Sequence, residues 1–154
     1  SEAPFFNNPG LRVRHALLKL DSDVVNMWIG QTWQLVGWQG GFQPNTVAIQ
    51  GIPGELYGRT AQLRLDKVIQ LGPVALELAV AALLPPQMDS GVPDFQAGVK
   101  LSLTHFTGVQ SVGSTGTAIA PAALGISGGL RHFRLATSVA QNGASSWSAA
   151  LQMR

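Results

Sequence analysis

Residues 95–104 place Phe, Ala, Val, Leu and Leu at the odd positions, with Gln, Gly, Lys, Ser and Thr between them. Residues 61–66 repeat the pattern, with Ala61, Leu63 and Leu65 against Gln62, Arg64 and Asp66; residues 147–153 repeat it more briefly. Successive side chains of a strand point to opposite faces, so a period of two dictates a sheet with one apolar and one polar surface. A chain with this pattern must bury the apolar surface, either in protein or in lipid.

Composition bears on that choice. Charged residues make up 12% of the 154 positions, about half the usual share of a soluble domain. The mean hydropathy is slightly positive. Yet no apolar run approaches the ~18 residues of a membrane-spanning helix. An apolar average without a helix-length apolar block suits strands that are half lipid-facing and half lumen-facing. A soluble β-sandwich gives a similar pattern, normally with more surface charge.

The candidate strands are long. Residues 11–20 read as a strand whose phase slips after His15, closed by a turn at 21–23. Residues 24–37, 59–70, 74–84, 95–106, 126–140 and 145–154 follow, with 74–84 also compatible with a short helix on propensity. Strands of about ten residues suit a membrane barrel better than a sandwich, where five or six is common. The connections alternate between short (21–23, 71–73) and long (38–58, 85–94), the arrangement of an outer-membrane barrel. The Gly/Ser/Thr-rich stretch 107–124 reads as an insertion that breaks this rule. Asn142-Gly143 is a two-residue hairpin signal.

These observations predict an all-β fold: an antiparallel up-and-down transmembrane β-barrel, with residues 1–154 forming one unit and no internal domain boundary. About seven strands are too few, because single-chain bacterial barrels close with an even number of eight or more. The expectation is therefore a segment of a larger barrel, or a piece completed by other chains. The opening residues SEAPFFNNPG lack the charged and apolar regions of a signal peptide, as a mature chain or a piece of a longer one would.

The motifs in the strands resemble a known family. Arg12-Val13-Arg14-His15-Ala16, an acidic turn, and then Gly30-Gln31-Thr32-Trp33 resemble the opening barrel strands of DcaP-like porins. Residues 59–65, 92–95 and 123–127 resemble later pieces of that family in the expected order. The resemblance implies a sixteen-stranded barrel, a trimer in the outer membrane of Gram-negative bacteria, and passive diffusion of small, often anionic, solutes. This chain is less than half the length of such a porin.

Under that reading the polar face lines a pore. Its candidate wall comprises Arg12, Arg14, Gln62, Arg64, Asp66, Glu77, Lys100, Ser102, Arg131 and Arg134. Arginine on a lipid face costs ~2–4 kcal/mol near the midplane, so these residues should face water, where they concentrate anions. Arg131 and Arg134 differ in parity, so only one of them should share the main polar face. Trp28, Trp33, Trp38 and Trp147 are candidates for an aromatic belt at the membrane–water boundary. Trp28 and Trp33 fall on opposite faces of a regular strand, so both cannot meet lipid.

Other functions find little support. Gly125-Ile126-Ser127-Gly128-Gly129 matches the G-x-S-x-G nucleophile pattern, but no Asp or Glu follows residue 94 to complete a triad in that chain order. Asp66 and Glu77 are a possible acid–base pair, better read as salt-linked pore wall. His15, His105 and His132 lack metal-ligand spacing and cysteine is absent. The expectation is no enzyme, no cofactor and no metal. Basic residues are spaced singly rather than clustered, which argues against nucleic acid. The expected partners are outer-membrane lipid, small solutes and further copies of the chain. The competing readings are a soluble β-sheet binding module and a structural barrel piece completed by other chains.

Overall fold

The computed structural model describes residues 13–38, 42, 58–85, 90–107, 121–136 and 141–153. They form one seven-stranded antiparallel sheet in which every strand pairs with its sequence neighbour. The strands are β1 (Ala16–Leu20), β2 (Asn26–Trp33), β3 (Arg59–Leu71), β4 (Val74–Leu83), β5 (Asp94–Thr107), β6 (Pro121–Ala136) and β7 (Gln141–Met153). No helix is present among the described residues, and of the span 74–84 Val74–Leu83 is strand. None of those residues forms a helix long and apolar enough to cross a membrane, which says nothing of strands. The 14 residues of β5 extend about 46 Å at ~3.3 Å per residue.

Several boundaries differ from the sequence reading. Of the strand expected over 11–20, residues 11 and 12 lie outside the described residues, 13–15 are not strand, and the strand begins at Ala16, so Arg14 lies in a bend before it. The strand expected over 24–37 stops at Trp33, because the Gln34 amide N–H donates to the Gly58 carbonyl at 3.1 Å and the chain then turns. Residues 121–124, expected in a loop, belong to β6, where Ala123 and Leu124 pair with Ser102 and Leu101. Asn142-Gly143 is not a turn: the two residues pair with Leu135 and Arg134 within the β6–β7 ladder. Local turn preference yields there to thirteen consecutive paired positions. The Leu71–Val74 hairpin is as tight as expected. Gly72 takes φ 63° ahead of Pro73, the sign pattern of a type II′ turn, and the Thr104 amide and hydroxyl both donate to the Pro73 carbonyl at 2.9 Å.

Register sorts the side chains into two faces. One row crosses all seven strands: Leu18, Ile29, Leu63, Ala82, Phe95, Leu130 and Trp147. The parallel rows below it on β3–β7 are apolar too, apart from glycine and the single charge of Lys67. This face is the exposed one: Ile126 is 57% and Trp147 79% accessible. The opposite face carries Gln62, Arg64, Asp66, Asp94 and Ser127, all buried. The core is there as well, built from Leu35, Trp38, Phe42, Ala79, Ala81, Leu83 and Ala123. The sheet is open among the described residues: β1 pairs only with β2, and β7 only with β6.

Candidate functional site: the covered polar face

The polar face is covered by the chain that leaves β2. Residues 35–38 form a turn closed by the Trp38 amide donating to the Leu35 carbonyl at 2.7 Å. The turn lies across β5 and β6. Gln96 Oε1 accepts the amide hydrogens of Leu35 (2.8 Å) and Val36 (3.0 Å), and Ser127 Oγ accepts that of Gly37 (2.7 Å). The Trp38 indole Nε1–H donates to the Ile126 carbonyl at 3.2 Å. Amides that would otherwise be buried without acceptors are thus satisfied by two side chains of the sheet.

The sheet offers a hollow for this segment. On the polar face β4 to β6 carry mostly small residues: Ala79, Ala81, Gly98, Ala123, Gly125 and Ser127. The Trp38 ring fills the space their side chains leave. A Cβ on Gly98 would stand 3.0 Å from Trp38 Cε2, and one on Gly125 2.8 Å from Trp38 Cδ1 and 2.9 Å from Phe42 Cε2. Trp38 is 3% exposed and has φ 44°, directly after Gly37 at φ 82°. A left-handed backbone costs a bulky residue about 1–2 kcal/mol, and such strain persists only where surrounding contacts over-determine it. Burial of the indole and its hydrogen bond do so here.

Beside the docked turn runs a ladder of charges. Arg64 on β3 lies 3.6 Å from Asp66 Oδ1 and 3.3 Å from Glu77 Oε1 on β4; Glu77 in turn meets Lys100 on β5. Asn26 Nδ2 donates to Asp66 at 3.3 Å. The cations also lie against indoles: Arg64 is 4.9 Å from the Trp28 ring and 5.5 Å from Trp38, and Lys100 is 5.1 Å from Trp38. Two cations and two carboxylates make the ladder electrically balanced. Gln62 Nε2 donates to the Thr32 and Trp33 carbonyls at 3.1 and 2.8 Å, tying β3 to the exit of β2.

The structure therefore brings Gln62, Arg64, Asp66, Glu77, Lys100 and Ser102 onto one face, with Arg131 further along it, 3.8 Å from Asp94. Arg134 falls on the opposite face by register and is exposed. Arg14 is exposed outside the strands, and Arg12 lies outside the described residues. Lys67 is not part of the ladder; it faces the other way and donates to the Asp23 carbonyl. The four tryptophans divide. Trp147 stands on the exposed apolar face, and Trp33 shares its side by register, with Arg59 stacked 3.6 Å above it and His15 edge-on at 5.5 Å. Trp28 and Trp38 are on the polar face instead, because Trp28 pairs with Arg64 and Trp38 belongs to the docked turn. An exposed belt cannot include those two.

Sequence reasoning missed Gln96, Ser127 and the two glycines under Trp38. Their signal was present as small residues at alternate positions of 96–98 and 125–127, but only register shows that they meet. No group of three or more His, Asp or Glu side chains able to hold a metal ion occurs among the described residues. Comparison of the chain with protein-family models, curated proteins and solved structures gives no match.

Proposed function

We propose that the chain is part of an outer-membrane porin-like channel, a segment of a larger barrel of the sixteen-stranded, DcaP-like kind. One observation carries this reading: the sheet is inverted, with its charges buried and its apolar residues exposed. At ~4.8 Å per strand and ~3.4 Å per residue, the apolar rows of β3–β7 from Phe95 to Leu101 and their neighbours cover roughly 650 Å². A water-soluble monomer rarely leaves more than a few hundred Å² of contiguous apolar surface open. Lipid is the solvent that suits it. Along β5 the apolar stretch from Phe95 to Leu103 extends about 27 Å. Tilted as barrel strands are, it spans about 20 Å, against the ~25 Å apolar band of such barrels.

The polar face then lines a water-filled path, and residues 35–38 with Phe42 narrow it. Small hydrophilic solutes cross by diffusion, and no reaction is catalysed. Anionic solutes are favoured by Arg14; the Arg131–Asp94 pair and the ladder around Glu77 are balanced and contribute little net field. The partners on this reading are outer-membrane lipid and further copies of the chain in a trimer. Among the described residues β1 and β7 each pair on one side only, which favours a second reading, a barrel piece whose remaining strands come from other chains.

Planar-bilayer recording tests the proposal. The full-length protein that contains the segment is expected to give stepwise conductance with an anion-leaning reversal potential. Glu77→Gln, which leaves Arg64 and Lys100 without their shared carboxylate, should move the reversal potential further toward anions. Absence of conductance, or a pronounced cation preference, overturns the channel. A monomeric mass in detergent overturns the multi-chain reading.

A further inference from the structure

Arg134, a candidate for the pore wall, is turned by register to the apolar side of the sheet. On the membrane reading that side meets lipid, which tolerates an arginine near the interface and not at the midplane. Its level is therefore decisive. Phe95, Leu130 and Trp147 form the last apolar row of β5–β7, and His132 and Arg134 follow it on β6. At ~3.4 Å per residue and a tilt of ~40°, they stand about 5 and 10 Å past that row. The headgroup layer of a leaflet is about 5–8 Å deep, which places His132 within it and Arg134 at its outer edge.

The two side chains reach to either side of β6. The His132 ring lies toward β7, its Nδ1 3.2 Å from Ser145 Oγ. It covers Gly143, the residue opposed to Arg134: a Cβ there would stand 3.0 Å from His132 Cε1 and 3.2 Å from Nε2. With Nδ1 accepting from the Ser145 hydroxyl, Nε2–H is a donor for an acceptor above the sheet. The Arg134 guanidinium leans the other way, Nη2 4.0 Å from the place of a Cβ on Gly91, ahead of β5. Arg134 is exposed and forms no ion pair among the described residues. The described carboxylates lie elsewhere. Asp66, Glu77 and Asp94 are on the polar face, and Asp21 and Asp23 are in the turn at the other end of β2.

Below this basic corner the apolar face dips. Ala97 and Gly128 pair in the next row inward, between Phe95 and Leu130 on one side and Val99 and Ile126 on the other. The dip opens a groove of about 610 Å³ that Leu63, Val80 and Trp147 also border. That is about four times the ~150 Å³ that accepts the six carbons of benzene, so a chain of about sixteen carbons is accommodated. The ligand that matches is apolar along the groove and anionic within reach of Arg134. A phosphate-bearing lipid carries both parts on one molecule, with ester oxygens between them at the level of His132.

We propose that this corner of the apolar face is a site for one anionic, phosphate-bearing lipid, with the phosphate on Arg134, an ester oxygen on His132 and an acyl chain in the groove. Its setting in a bilayer rests on the membrane reading above. Trp147 borders the groove and reports on it. The full-length protein that contains the segment, in dodecyl maltoside micelles, is titrated with phosphatidylglycerol or diacylglycerol carrying brominated acyl chains. Bromine quenching of tryptophan emission is followed, and the part absent from Trp147→Phe is the groove signal.

Phosphatidylglycerol is expected to reach half-quenching at about fivefold lower mole fraction than diacylglycerol, the worth of one basic residue at an anionic surface. Arg134→Gln should abolish that advantage, and Arg134→Lys, which keeps the charge, should preserve it. Glycerol phosphate, a headgroup without chains, should displace no more lipid than sodium chloride at equal ionic strength. The site is overturned if Arg134→Gln keeps the preference, if Arg134→Lys loses it, or if glycerol phosphate clears the groove. Equal quenching of Trp147 by the two lipids removes the site and leaves the membrane reading standing. Absence of quenching by either lipid removes both. Selective quenching in a protein that gives no conductance loses the channel and keeps the site.

Discussion

The two faces of this sheet are made from the same strands and obey opposite rules. On one, Leu63, Val80, Phe95, Val99, Ile126 and Leu151 stand exposed; on the other, Arg64 at 8% accessibility and Asp66 at 5% are buried. Burial of ionised groups is tolerated only with partners, and here each has one: Arg64 has Asp66 and Glu77, and Lys100 has Glu77. Apolar exposure has no such internal remedy, so the remedy must come from the surroundings. The difference teaches that the polar face is the one completed by the chain itself, through the turn after β2. The apolar face is left uncovered among the described residues, and the membrane reading proposed above rests on that.

The largest way to break this comparison is to place a charge on the exposed face. Val99 is at the middle of the apolar rows, between Leu78 and Ile126, and is 44% exposed. If that face meets water, Val99→Arg is an ordinary surface substitution and changes stability by no more than about 0.5 kcal/mol. If it meets lipid near the midplane, the expected loss is ~2–4 kcal/mol. Urea unfolding in phospholipid vesicles, followed by tryptophan emission, reads the difference. A loss within the surface range would remove the physical basis for the membrane reading.

The exposed face was the legible half. Alternation at 61–66 and 95–104 is visible without any structure, because a strand's period of two needs only the sequence. The tight turn at Gly72-Pro73 was legible for the same reason: its residues have few other conformations. Polar-face membership of Arg64, Asp66, Glu77 and Lys100 followed from parity alone. What could not be read was the fate of residues 34–38. Gln-Leu-Val-Gly-Trp continues the mixed apolar pattern of β2, and nothing local distinguishes a strand that goes on from a turn that folds back. The deciding contacts are with Gln96 and Ser127, 60 and 90 residues away for Val36 and Gly37. Asn142-Gly143 failed in the opposite sense, since a strong local preference was outweighed by a long ladder.

A prediction of intermediate size asks whether the polar face is completed as described. Gln96→Leu keeps roughly the volume of the side chain and removes the oxygen that accepts both the Leu35 and Val36 amide hydrogens. Each buried donor left without an acceptor costs about 1–3 kcal/mol, reduced where water can enter. The expected total is about 2–3 kcal/mol, with unfolding in two phases as the turn releases before the sheet. Amide hydrogen exchange at Leu35 and Val36 should accelerate ahead of exchange in β3–β5. Unchanged exchange there would mean that the turn is held by indole burial alone.

The smallest expected effect isolates the indole. Gly125→Val adds three carbons where even the first would be 2.8 Å from Trp38 Cδ1, in a hollow already filled by Trp38 and Phe42. Overpacking of this kind costs about 1–3 kcal/mol. Displacing the turn frees Trp38 from its φ of 44° but gives up the burial of the indole and its hydrogen bond to Ile126, so the strain returns little of it. The net loss is therefore expected within about 1–3 kcal/mol. The two variants differ in what they expose. Gln96→Leu leaves the indole a glycine-floored seat to return to, whereas Gly125→Val removes the seat and should shift tryptophan emission toward that of a solvated indole. If the path along the polar face is narrowed by this turn, the same substitution raises single-channel conductance. A variant that loses the buried emission with no gain in conductance would place the constriction elsewhere on the face.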